Sequence, residues 1–156
     1  MKQRIHFVFV ALVFWVVILV TAQCVQAALG ESVDSVESDR KALSAVRGAV
    51  IVHSEYTVHQ VDSDSTLVRE YVSTSGIVFA VAWNGLVHPD LTQLLGSYAR
   101  EYARGLEKTP RELGSRRLRV KTNNVVVEEW GHMRNLQGRA YVPALIPSGV
   151  NVNEIK

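Results

Sequence analysis

The chain has 156 residues, of which 47% are apolar and 21% charged, and its formal net charge is +2. That length carries one domain with a core of its own and gives no case for a second. The near-balance of charge excludes nucleic-acid binding through overall basicity, and a single cysteine, Cys24, excludes a disulfide framework.

The first segment reads as an export leader. Lys2 and Arg4 form a short basic start, Phe7 to Val20 is unbroken apolar sequence, and Thr21 to Ala28 is polar and small. An apolar helix over Phe7–Val20 is about 21 Å long at roughly 1.5 Å per residue, short of the about 30 Å of hydrocarbon in a bilayer. Val25-Gln26-Ala27 offers small or aliphatic residues to a signal peptidase, so residues 1–27 are expected to be removed and Ala28 to become the N-terminus. Gln26-Ala27-Ala28 is the neighbouring alternative. The competing readings are an uncleaved anchor over Ile5–Ala22 and a buried first helix. Lipid attachment at Cys24 is disfavoured because Gln23, not a small residue, precedes it. Processing removes Cys24, Lys2 and Arg4 together, which leaves residues 28–156 thiol-free and formally neutral. The expected location is periplasmic or secreted, with membrane contact only through the leader before cleavage.

In the remaining chain, Glu31 to Arg47 is polar with Val36, Leu43 and Val46 at helical spacing, and Gly48 follows as a stop; this predicts a first helix. Three β-rich runs come next, Ala49–Val61, Thr66–Ser73 and Ile77–Trp83, joined by short turn-forming segments that favour an antiparallel meander. Ile77 to Trp83 has no polar residue on either parity, so both its faces should be covered and it should lie centrally. Pro89 to Gly105 predicts the clearest helix: Asp90 as N-cap, Gln93 to close a capping box, a stripe of Leu91, Leu94, Leu95, Tyr98 and Tyr102, and Gly105 as the stop. Gly96 inside that helix suggests a close approach to the sheet.

Lys108 to Ser115 reads as a loop. Arg117–Lys121 then alternates, and Asn123-Asn124 can turn it into Val125–Trp130 as a hairpin. The register predicts Val120 opposite Val127 inside, Arg119 opposite Glu128 outside, and Arg117 beside Trp130, where its guanidinium can lie on the ring. Gly131 to Gly138 reads as a glycine-bounded loop, Arg139–Val142 as a short strand, and Ser148–Lys156 as an extended or loose tail. The whole is an α+β domain over residues 28–156: an antiparallel sheet, meander plus C-terminal hairpin, packed against one or two helices.

Chemistry is harder to find. There is no G-x-S-x-G turn, H-E-x-x-H helix, P-loop or calcium loop, and without a thiol after processing there is no cysteine nucleophile or thiolate metal site. No catalytic residue, metal or cofactor is assigned, and these absences weigh against an enzyme without deciding the matter. His53 and His59 share a parity if their strand is continuous, but six residues of strand span roughly 20 Å, too far to share a metal. His88 is expected in the entry to the second helix. The basic bias of Arg100, Arg104, Lys108, Arg111, Arg116, Arg117, Arg119 and Lys121 over Glu101, Glu107 and Glu112 is read as a solvated surface, with an anionic-partner patch as the alternative.

The candidate binding patch consists of Glu70, Trp83, Asn84, His132, Arg134 and Arg139. If the glycine-bounded loop folds back to the end of the central strand, an imidazole, two guanidiniums and an indole could line a concavity for an anion or carboxylate. The plainer alternative pairs Glu70 with Arg134 or Arg139 as a fastening of the sheet. Tyr71, Phe79, Trp83, Tyr98 and Tyr102 are expected in the core.

Taken together, Arg69-Glu70-Tyr71-Val72, Gly76 to Gly85, Pro89-Asp90-Leu91, Leu94-Leu95-Gly96, Gly131-His132-Met133-Arg134 and Gly138 to Pro143 resemble an exported bacterial family, domain of unknown function 2844. The resemblance runs from Ala28-Leu29-Gly30 to the tail. It implies an envelope or secreted protein and carries no activity, cofactor or catalytic residue to transfer. The expected function is a non-catalytic binding or assembly module whose partner is an envelope protein or a small anionic ligand. A small enzyme or ligand carrier using Glu70, Trp83, His132, Arg134 and Arg139 is the alternative.

Overall fold

Among the described residues, hydrophobic alternation and turn residues give a seven-stranded antiparallel sheet, with an amphipathic helical segment packed on it. The computed structural model describes residues 29–33, 46–63, 65–110 and 114–156. The strands are β1 (Val46–Val52), β2 (Tyr56–Asp62), β3 (Thr66–Ser73), β4 (Val78–Gly85), β5 (Arg117–Lys121), β6 (Val126–His132) and β7 (Asn135–Tyr141), in the spatial order β1-β2-β3-β4-β7-β6-β5. The helical segment between β4 and β5 is α1 (Leu91–Leu95), a 3-10 turn at Gly96–Tyr98, and α2 (Ala99–Lys108). Among the described residues, no helix is long and apolar enough to cross a membrane.

The central strand is β4, as its uniform apolarity required, and Val78 to Trp83 are all buried. A bulge explains how the consecutive residues Phe79 and Ala80 serve the same face. Tyr71 pairs with Ala80 but Val72 with Val78, so Phe79 is the extra residue. Val78, Val81 and Trp83 therefore join the core under the helix, while Phe79, Ala80 and Ala82 join the other.

On the helix side, Leu94 and Leu95 are fully buried, with Leu91, Tyr98, Ala99 and Tyr102 packed beside them. Burying side chains of that size is worth about 1.5–3 kcal/mol each. Asp90 caps the helix by accepting from Thr92 N at 2.9 Å. Gly96 takes φ +50 and ψ −119, a conformation that breaks the expected continuous helix into two segments. Gly105 does not stop the helix, which continues to Lys108; it lies so close to β5 that a Cβ there would meet Val120 Cγ1 at 2.8 Å. The two glycines thus exchange expected roles.

Several other expectations are corrected. Glu31–Val33 is not the start of a helix: Ser32 bridges Ile77, and Val78 N donates to Glu31 O at 2.9 Å. Val46 and Arg47 belong to β1; the rest of that expected helix, residues 34–45, and the expected leader with its expected cleavage point at Ala27 and Ala28 lie outside the described residues. Ala49–Val61 is two strands, not one, because the chain turns at His53–Glu55. Gly131–Gly138 is not a loop. It is the tip of the β6–β7 hairpin, with His132 opposite Asn135 and Met133-Arg134 in the turn. The C-terminal unit is therefore three-stranded, and β7 joins it to β4.

The tail is the largest correction. The expected extended or loose tail, Ser148–Lys156, is not loose: together with residues 143–147 it crosses the second face of the sheet as a strap. Ile155 is fully buried against Tyr56, Val58, Tyr71, Phe79 and Tyr141, and Leu145, Ile146, Val150 and Val152 pack around the same core. Arg139 Nη1 holds the strap by donating to Val152 O at 2.7 Å.

Candidate functional site

Between the strap and β1–β3 the sheet leaves an open cleft of about 710 Å³. Its floor is Tyr56, Val58 and Tyr71, which alternation along β2 and β3 places on the strap side. Phe79 stands beneath as an edge-on partner of both rings, 6.0 Å from Tyr56 and 6.2 Å from Tyr71 between centroids. His53 stacks on Tyr56 from the β1–β2 turn at 4.5 Å. Gln60, Arg69, Asn84 and Gln137 supply polar groups, and Glu154 and Lys156 of the strap form the far wall.

Those polar groups are ordered by one another. Arg69 Nη1 donates to Asn84 Oδ1 at 2.9 Å and to the Lys156 backbone oxygen at 3.1 Å. The Tyr71 hydroxyl accepts from Lys156 N and donates to Lys156 O, each at 3.0 Å. Tyr56 OH reaches Glu154 Oε2 at 3.5 Å. Burial, then the negative charge of Glu154, raises the Tyr56 hydroxyl above the ordinary phenol range. It remains a proton donor at neutral pH, suited to binding an acceptor and not to acting as a base.

The six residues of the expected patch are not gathered on one surface. Glu70 is fully buried on the helix side, opposite His59 on β2 and Val81 on β4. Trp83 is also on that side, and its indole N–H meets no acceptor among the described residues. Asn84 and Arg139 face the strap, and only Asn84 lines the cleft. His132 and Arg134 are exposed at the β6–β7 turn, where Arg134 takes φ +67. The expected fastening of Glu70 by Arg134 or Arg139 is not made: Arg139 binds Glu128, with Nη2 at 2.6 Å and Nε at 2.7 Å from Oε2. The charge of Glu128 is shared with Arg119 at 3.0 Å.

Sequence reasoning missed Tyr56, Arg69 and Gln137. Tyr56 and Arg69 look like ordinary strand residues and Gln137 falls within the expected glycine-bounded loop, and their places in the cleft depend on the turn at His53–Glu55, on the β6–β7 hairpin and on a strap not recognised as structured. The parity of Tyr56, Val58 and Gln60 against Arg69 and Tyr71 was the available signal.

Sheet, two-segment helix and strap define an α+β domain with an open, aromatic-floored cleft. The chain belongs to the family described as Protein of unknown function (DUF2844), which matches residues 25–155. No curated protein and no solved structure matches it.

Proposed function

We propose that the protein is an exported, non-catalytic binding module of the bacterial envelope, which seats an extended segment of another envelope protein along β1 and into the strap-side cleft. The observation that carries this reading is the difference between the two sheet edges. At one edge β5 alternates Arg117, Arg119 and Lys121, charges of the kind that discourage strand addition. At the other, β1 presents Val50, Ile51 and Val52, which are 49%, 43% and 76% exposed. Among the described residues, no strand pairs with the outer side of β1.

An extended partner adding to that edge gains backbone hydrogen bonds, and its alternate side chains reach the cleft past Ile51 and His53, which line both features. The donors there, Arg69 and the protonated Tyr56 hydroxyl, favour a carbonyl or carboxylate on the partner. The leader-like pattern of residues 1–27, a basic start followed by the apolar run Phe7–Val20, is what supports an envelope location.

A photo-crosslinking residue placed at Val52 tests the reading in cells. It should trap a specific envelope protein, the trapping should be lost on Val50→Lys, and intact mass should show a chain starting at Ala28. Retention of Met1–Ala27, or equal trapping from a control crosslinker at Arg104 on α2, would sink it.

A further inference from the structure

We propose that the end of the sheet formed by the β4–α1 loop, the start of β5 and the β6–β7 turn docks on an anionic lipid surface. This lies away from the β1 edge and goes beyond the binding function proposed above. Strand register brings the three segments to one end: Gly85 pairs with Leu136, His132 with Asn135, and Arg117 with Trp130. Three large apolar side chains project there into solvent, Leu86 at 56% exposure, Val87 at 51% and Met133 at 89%.

They are held outward by a fixed backbone. Leu86 N donates to Ser65 O at 2.7 Å, and the Val87 carbonyl accepts from Thr66 Oγ1 at 2.8 Å. Met133 stands next to Arg134, whose left-handed backbone is uncommon for arginine. Exposed apolar groups presented on ordered turns cost solubility and gain nothing from the core.

Charge accompanies them. A cleft of about 670 Å³ opens at this end, and its lining includes His88, Arg116, Arg117, Trp130 and Leu136. Arg119 also lines it but is held by Glu128. Among the described residues, no carboxylate lies within ion-pairing distance of Arg116, Arg117 or Arg134. The opposing charges at this end include Glu129 in the cleft, Asp62 on β2 and, in the β4–α1 loop itself, Asp90, whose carboxylate accepts from Thr92 N at the helix cap. Cations beside exposed apolar tips match the layering of a lipid leaflet, with phosphates outermost and acyl chains beneath them. The cleft is the place for a phosphodiester headgroup, with Arg116 and Arg117 as its donors.

Cosedimentation of the naturally processed protein with vesicles tests the proposal. Binding is expected to vesicles of phosphatidylcholine mixed equally with phosphatidylglycerol, to fall with salt, and to be weak on phosphatidylcholine alone. Replacing both Arg116 and Arg117 by Glu should weaken anionic-vesicle binding by at least about tenfold. Met133→Asp should weaken it while leaving the urea midpoint unchanged, because the residue touches no core. Equal binding to both vesicle types, no binding to either, or binding to soluble heparin with none to vesicles would overturn the proposal. So would full binding by the arginine variant.

Discussion

Gly138 faces Trp83 across the β4–β7 ladder, and the indole fills the space into which a side chain at 138 would project. A Cβ there would collide with Cζ2 of the ring and close to within 2.9 Å of the Glu128 carbonyl oxygen. Since Trp83 is locked between β4, β7 and the helix-side core, it cannot yield. Gly138→Ala is therefore expected to destabilise the fold by about 1–3 kcal/mol through overpacking. Urea denaturation followed by circular dichroism reads this directly; a loss below a few tenths of a kcal/mol would show that the ring has room to move.

The strap makes a second, independent prediction. Ile155 is the fully buried side chain that ties residues 143–156 to the second core. Ile155→Ala should cost about 2–5 kcal/mol, whereas Leu86→Ala, at an exposed loop, should stay within about 0.5 kcal/mol. Hydrogen exchange of the Lys156 amide, which donates to Tyr71 OH, should accelerate in the first variant alone.

Glu128 joins two arginines that differ sharply in solvent access. The side chains of Arg139 and Glu128 are each 16% exposed, but that of Arg119 is 62% exposed. Removing the carboxylate leaves Arg139 largely desolvated with only strap carbonyls, so Glu128→Ala is expected to cost about 2–4 kcal/mol. Arg119→Ala should cost no more than about 0.5 kcal/mol, because solvent screens that pair. A double-mutant cycle on each pair separates the two terms.

Glu101 predicts a pH effect. Hydrogen bonds from Thr122 and Asn124 hold its carboxyl below the ordinary glutamate range, and Asn124 N and Nδ2 donate to it at 3.1 and 3.0 Å. A group whose value is lowered on folding adds stability above its unfolded value and loses it as pH falls through the folded one. The partly exposed site limits this to about 1 kcal/mol. Glu101→Gln should thus be less stable than the parent at neutral pH and equal to it in strong acid; a gap that stayed constant with pH would refute the assignment.

How much of this was legible in the sequence depends on the range of the forces involved. The β5–β6 register came out residue for residue, with Val120 opposite Val127, Arg119 opposite Glu128 and Arg117 opposite Trp130. Two short strands joined by a tight turn have few ways to satisfy packing and charge together. The guanidinium over Trp130 is nevertheless Arg139's, at 5.8 Å, and it comes from the next strand over. Alternation told which face a side chain took but not which strands became neighbours.

The same limit separated the expected patch from the cleft. Glu70 and Arg139 were grouped as complementary charges, yet the sheet stands between them, since one faces the helix and the other the strap. Assignment to a face required the bulge at Phe79 and the pairing of β4 with β7, both of them long-range facts.

Local chemistry in the chain determined the central strand, the amphipathic stripe with its Asp90 cap, and the β5–β6 hairpin, because each follows from residues a few positions apart. Tertiary structure alone decided that the last residues form a strap, that Gly96 breaks a helix while Gly105 packs one, and which polar groups line a common cleft. Those outcomes depend on contacts between distant segments, whose free energy is shared among many weak interactions and so leaves no short pattern to read.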